Sequence, residues 1–239
     1  MTVTTDTGNG TSGPGRVLIT GGSSGLGAAL AHAVADAGGT PIVFDLEPPS
    51  LVSAVFYRVD VADRQAVEQG VAAAVDKLGG LDAVVTAAGT DACGRLDEIP
   101  AEKWENVINV NLLGTVRVVR AALPHLQKSH GHVVTVASTL ALSAVSDATA
   151  YCASKFGVLG FSRSLIAETR GEIGVTTLIP GGMDTHFFDG RTEQYRPADN
   201  STLNDPANVA RAVLFALDQP AGCAVRELVI CHEQEESWP

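Results

Sequence analysis

The chain has 239 residues, 45% of them hydrophobic and 18% charged, with a formal net charge of −11. That length suits one α/β domain, and the apolar content supplies a sizeable core and excludes a disordered chain. A surface this acidic repels phosphate backbones and anionic headgroups, so neither nucleic acid nor a membrane is expected as a partner.

Residues 1–15, biased to Gly, Thr and Ser, lack the basic and apolar regions of a secretory signal. They read as a flexible N-terminal tail on a domain spanning 16–239. No apolar run approaches the ~20 residues of a membrane span, so a cytoplasmic protein is expected. Cys93, Cys152, Cys223 and Cys231 are scattered without a CxxC pair, and no histidine sits at zinc-ligand spacing. Four reduced thiols and no metal site are expected.

From residue 16 onward short apolar runs alternate with helical stretches. Residues 17–19 predict a buried strand, and 28–37 an Ala-rich helix. Residues 41–44 form a second strand that ends at Asp45, and 55–59 a third. Residues 63–78 form an amphipathic helix with Asp63 as its N-cap. A fourth strand at 83–85 precedes a long helix over 101–126, with Pro100 in its first turn. A fifth strand at 133–136, a long helix over 149–170, a sixth strand at 175–179 and a seventh at 228–230 complete the series. Near-continuous apolar strands alternating with helices imply a sheet buried on both faces. The expectation is an α/β, doubly wound, mostly parallel seven-stranded sheet with helices on both faces, Rossmann-like, in a single domain. Residues 181–204, rich in Gly, Thr, Asp and Asn, have the length of a lid or binding loop.

The first strand runs into TGGSSGLG at residues 20–27, and a helix follows. Glycines there let the backbone approach a pyrophosphate, and the helix N-terminus offers free N–H donors. The spacing is G-x-x-x-G-x-G rather than the dinucleotide fingerprint G-x-G-x-x-G. Asp45 lies 18 residues after Gly27, near the offset of a ribose-binding acid. No Arg or Lys occurs between Gly21 and Glu47 to neutralise a 2′-phosphate. NAD is therefore favoured over NADP.

Tyr151 and Lys155 stand four residues apart on one predicted helix face. A nearby cation favours the phenolate and lowers the tyrosine pKa from about 10, making Tyr151 usable as a general acid or base. Ser138 follows the fifth strand, at the sheet end where ligand sites gather in such folds. Its hydroxyl is placed to hold a substrate oxygen.

TGGSSGLG at 20–27, NVNLLG at 109–114, Ser138, YCASK at 151–155 and IPGGMDT at 179–185 together resemble the short-chain dehydrogenase/reductase superfamily, in its short single-domain branch. The resemblance covers about residues 16–231. It implies Tyr151 as general acid/base and Lys155 as the residue that holds the nicotinamide ribose and lowers the tyrosine pKa. It implies Ser138 as the group that orients the substrate oxygen, and Asn111 as the anchor of a water linking Lys155 to solvent. Gly21, Ser23, Ser24, Gly25, Leu26 and Gly27 match the pyrophosphate turn, and Asp60 and Val61 the adenine-contacting pair. Pro180, Gly181 and Thr185 match the stretch around the nicotinamide carboxamide. The family's Asn-Asn-Ala-Gly stands here as TAAG at 86–89; Ala88 and Gly89 keep the close cofactor approach, and the asparagine side chains are gone. The long helices imply a homodimer or homotetramer.

The expected function is interconversion of a secondary alcohol and a ketone with NAD, on a small-molecule alcohol or ketone substrate. The alternatives are an NADP-dependent carbonyl reductase and a non-catalytic nucleotide-binding scaffold. The substrate pocket is expected from residues 90–95, 139–145 and the lid. His186, beside Phe187 and Phe188, reads as a loop histidine. The tail from Glu233 reads as acidic and solvated, with Trp238 available to a partner subunit.

Overall fold

A computed structural model describes residues 13–197 and 199–235. Most of the expected tail, Ala198 and Trp238 lie outside the described residues. Seven strands form one sheet: β1 Arg16–Thr20, β2 Thr40–Asp45, β3 Val55–Arg58, β4 Ala83–Thr86, β5 His132–Val136, β6 Gly174–Pro180 and β7 Glu227–Ile230. Their order is β3-β2-β1-β4-β5-β6-β7 and every pairing is parallel.

Side-chain alternation divides the core between the two faces of this sheet. Leu18, Ile42, Val84, Val133 and Val175 point to one face. They meet Val67 and Val71 of α2 (Arg64–Leu78), Val118, Ala122 and Leu126 of α4 (Thr115–Ser129), and Leu165 of α5 (Thr149–Glu168). Val17, Ile19, Val43, Val85 and Val134 point to the other face, against Leu30 and Val34 of α1 (Gly25–Asp36) and Val209 and Val213 of α6 (Pro206–Leu217). Covering both faces is what lets the strands be apolar throughout. The chain winds outward in both directions from β1 and β4, so the strand order reverses between them and opens a crevice at their C-terminal ends.

The expected helix over 101–126 is divided. α3 (Ala101–Ile108) passes into a π-helical turn at Asn109–Gly114 and then into α4. Pro100 is the N-cap of α3 and not a first-turn residue. The combined stretch Ala101–Ser129 is long and apolar enough to cross a membrane by length and composition. Here it packs the row Val118, Val119, Ala122 and Leu126 onto the sheet. Asp63 caps α2 as expected, its carboxylate accepting from the Gln65 and Ala66 amides. α6 has no counterpart in the sequence expectation.

Two further differences concern the ends. Gly15, assigned to the tail, is pinned because its carbonyl accepts from the Thr40 amide. Glu235, assigned to a solvated tail, accepts from the Gly182 amide at 2.9 Å. The lid contains three short 3-10 turns, His186–Phe188, Glu193–Tyr195 and Asn200–Thr202. Its base is closed by a bridge between Met183 and Asn204, with Asn204 donating to the Gly182 carbonyl and Asp184 to the Asn204 carbonyl.

Candidate active site

The C-terminal ends of β1, β4, β5 and β6 open into one cleft of about 1700 Å³. That exceeds the few hundred to ~1,000 Å³ of a typical small-ligand pocket and leaves room for an extended cofactor beside a substrate. The cleft gathers Gly21, Ser24, Gly25, Leu26, Gly27, Ala88, Gly89, Ser138, Tyr151, Lys155, Pro180, Gly181 and Thr185. Chain segments far apart in sequence thus meet as the motifs imply.

The glycine turn has the shape a pyrophosphate needs. Gly21 has φ +67°, and a side chain on it would press on the Ala88 backbone. A side chain on Gly27 would run into the Gly21 carbonyl oxygen. Ser24, the N-cap of α1, lines the cleft with Gly25, Leu26 and Gly27 and makes no side-chain cap bond, which leaves the first-turn N–H groups uncapped by it. These donors and the bare glycine backbone fit the phosphates of a dinucleotide.

Not every implied cofactor residue faces the cleft. Asp45 turns back on the glycine loop: its carboxylate accepts from the Ser23 amide at 2.9 Å and from the Leu46 and Glu47 amides. The Ser23 hydroxyl donates to the Glu47 carbonyl. Parallel register sets Arg58 directly opposite Asp45, and its guanidinium lies 3.7 Å from the Glu47 carboxylate. A basic group thus stands beside Asp45 and Glu47 from β3, which the interval from Gly21 to Glu47 did not reveal. Asp60 accepts from the Ala62 amide, and Val61 is buried against Gly114; both lie beyond the cleft proper.

Around Tyr151 the groups are closely ordered. The Ser138 hydroxyl accepts from the Leu140 amide at 3.1 Å and lies near the Tyr151 hydroxyl. The Lys155 ammonium donates to the Val136 carbonyl at 2.8 Å and lies 5.5 Å from the Tyr151 ring centroid. Burial pushes the phenol up to about 12, with Ser138 opposing the rise, and pushes Lys155 down to about 8. This reverses the expected direction for Tyr151. Desolvation penalises both charged forms, and the ammonium that was to stabilise the phenolate is itself discouraged.

Asn111, expected to anchor a water, spends its side chain on protein. Its carbonyl oxygen accepts from the Thr90 amide at 2.8 Å, and its NH₂ donates to the Thr90 carbonyl and the Ser154 hydroxyl. Ser154 in turn donates to the Tyr151 carbonyl. Asn111 therefore ties the loop after β4 to the helix that carries Tyr151 and Lys155. The π-helical turn is what aims it there.

The substrate end differs from the expected lining. Residues 90–94, Thr139 and Leu140 line it, but Arg95 and residues 141–145 do not. Arg95 pairs with Asp97 and Glu98 outside. The lid contributes Phe187, Phe188, Arg191 and Tyr195. Arg191 pairs with Asp91, a contact across 100 residues that no local spacing signals. His186 bonds Asp189 at the surface.

A family model described as short chain dehydrogenase matches residues 16–196. The chain belongs to the short-chain dehydrogenase family. An uncharacterized oxidoreductase of Staphylococcus aureus (strain MW2) is 30% identical over 224 residues, covering 89% of this chain and 95% of that protein. The solved alcohol dehydrogenase of Thermococcus sibiricus, complexed with 5-hydroxy-NADP, superposes with TM-score 0.83 at 25% identity and covers 92% of this chain and 97% of its own. Actinorhodin polyketide ketoreductase with NADPH gives TM-score 0.82 at 27% identity, covering 91% and 96%. This short-chain dehydrogenase is accordingly an oxidoreductase with a dinucleotide-binding fold.

Proposed function

We propose that this short-chain dehydrogenase interconverts a secondary alcohol and a ketone using NAD(H), with Tyr151 as the proton donor and acceptor. The observation that carries the reading is the convergence of Ser138, Tyr151 and Lys155 at the head of the cleft, with the glycine turn at its other end. When bound, the nicotinamide supplies or accepts the hydride. Ser138, its rotamer fixed by the Leu140 amide, holds the substrate oxygen. Tyr151 keeps its proton across neutral pH, which is the form that donates to a carbonyl oxygen. Lys155 gives one N–H to Val136 and retains two for a ribose and for the proton path. Asn111 and Ser154 position the catalytic helix. Gly21, Ser24, Gly25, Leu26 and Gly27 would hold the pyrophosphate, with Ala88, Gly89, Pro180, Gly181 and Thr185 beside the nicotinamide half.

Asp45 and Glu47 set two carboxylates against the single cation of Arg58 at the ribose corner, which supports NAD. NADP is the second reading, favoured by Arg58 itself and by the NADP-type ligands in the two solved relatives. Four free thiols suit a reducing, cytoplasmic setting. Exposed Leu113 and Phe156 leave apolar side chains on the α4 and α5 side for a homodimer or homotetramer.

The test is a panel of ketones and secondary alcohols followed by NADH absorbance, with Tyr151→Phe as the control. Tyr151→Phe should bind NADH as the wild type does and lose turnover about 100-fold or more. Near wild-type turnover by this variant on a confirmed substrate refutes the mechanism.

A further inference from the structure

The lid is fastened across the substrate end of the cleft by side chains the reaction does not use. Arg191 donates through Nη2 to the Asp91 carboxylate at 2.5 Å, and through Nη1 to the Tyr195 carbonyl at 3.2 Å. The pair is largely enclosed, the Asp91 side chain being 5% exposed. The guanidinium carbon lies 4.6 Å from the Phe188 ring centroid and 5.5 Å from that of Phe187. The Phe187 ring in turn lies 5.8 Å from the Tyr151 ring, tilted by 59°. Beside this pair the Asp147 carbonyl accepts from the Gly94 amide, and the Asp147 carboxylate lies near the Tyr195 hydroxyl. Asp147 holds φ +60°, a left-handed conformation that is sparsely populated for a residue other than glycine. The loop after β4, the loop before α5 and the lid are thereby joined above Tyr151.

This arrangement argues against Arg191 as a receptor for a substrate carboxylate, because Asp91 already neutralises its charge. Its Nε is buried without a hydrogen-bond partner among the described residues. An unpaired buried N–H disfavours the closed arrangement, and opening returns it to water.

We propose that Asp91 and Arg191 are positioning residues of the lid, whose ion pair keeps Phe187 against Tyr151 and so narrows the substrate's approach to the Tyr151 hydroxyl until the pair parts. The functional weight of this gate rests on the reading of Tyr151 as the proton donor. The substrate that displaces Phe187 meets an aromatic wall and a cation whose charge is spent, which suits an uncharged carbonyl compound with apolar flanks.

Cys93 reports on the gate. Its thiol donates to the same Asp91 oxygen that receives Arg191. Alkylation by iodoacetamide, resolved by peptide mass spectrometry, has two internal references: exposed Cys223, and buried Cys152 on α5. In Arg191→Gln, Cys93 should label at least 10-fold faster, with Cys223 unchanged and Cys152 protected. The electrostatic effect alone runs the other way. Arg191 lowers the Cys93 pKa, so in a lid that stays shut its loss makes the thiol less reactive. An unchanged or slower Cys93 overturns the proposal. Arg191→Lys, which retains a cation, should stay within threefold of wild type; labelling as fast as in Arg191→Gln overturns it too. If Arg191→Gln also exposes Cys152, Tyr195→Phe decides: faster Cys93 with Cys152 protected supports the gate, and an unchanged rate overturns it. Labelling needs no substrate, so a failed carbonyl panel would sink the Tyr151 reading and leave the latch standing.

Discussion

Acid should destabilise this protein through one histidine at the far end of the sheet from the cleft. His132 opens β5, and parallel register places it opposite Gly174 of β6. Its Nε2 lies 2.7 Å from the Thr176 hydroxyl, which donates its own proton to the Val225 carbonyl at 2.6 Å. Thr176 can therefore only accept from the ring, and Nε2 carries the proton. Nδ1 lies against Gly174, so closely that any side chain there would strike the ring. Burial, with Arg226 adding a like charge, pushes His132 from 6.5 down to about 4. The unfolded chain takes up this proton near pH 6.5 and the folded chain does not until about pH 4. The stability is thus fully present above 6.5 and is lost as pH falls through this window. Linkage gives a loss of about 2 kcal/mol by pH 5 and at most about 3 by pH 4. Urea titrations of wild type and His132→Gln at pH 7, 6, 5 and 4 would measure it. Carboxylates common to both cancel in the difference, and the wild type should fall further than the variant by those amounts. Parallel decline of the two proteins would refute the assigned tautomer and the neutral ring.

Two other outcomes follow from the cofactor corner and the catalytic scaffold. Asp45→Ala with Leu46→Arg should narrow or reverse a preference for NADH over NADPH in fluorescence titrations, by removing a carboxylate and adding a phosphate partner; tighter NADPH binding in the wild type would contradict the NAD reading. Asn111→Ala removes three hydrogen bonds, each with a net worth of about 1 kcal/mol, and should lower stability by about 2–4 kcal/mol in urea titration. A loss below about 1 kcal/mol would show that water replaces the side chain.

The strands and most helices were legible because a parallel sheet covered on both faces demands apolar runs such as Val17–Leu18–Ile19 and Val133–Val134, and those runs are local. The glycine turn and Tyr151–Lys155 were legible for the same reason, each lying within one short segment. α6 carried a readable signal in Asp205 followed by Pro206, an N-cap with proline in the first turn, and Asp205 does accept from the Ala207 amide. The π-helical turn was hidden because the apolar pattern continues across it. Asp91–Arg191, Asn111–Ser154 and Asp45–Arg58 are properties of the folded chain; their partners come from different elements and have no fixed spacing. The direction of the Tyr151 shift also needed the structure, since spacing gives proximity to a cation but not the degree of desolvation.

The turn at Asn109–Gly114 makes the length of the chain part of the design of the site. A π turn hydrogen-bonds i to i+5 and so takes up a surplus residue within an otherwise α-helical rod. Replacing a side chain along this rod leaves its phase intact. Deleting one residue inside the turn would let the rod close up as regular α-helix, with its two arms kept in phase and the bulge lost. Asn111 would then turn away from Thr90 and Ser154 while the Val118–Ala122 row stayed on the sheet. Insertions and deletions are ordinarily best absorbed in surface connections and worst in cores. Here a helix that tolerates exchange of its letters is bound to their number.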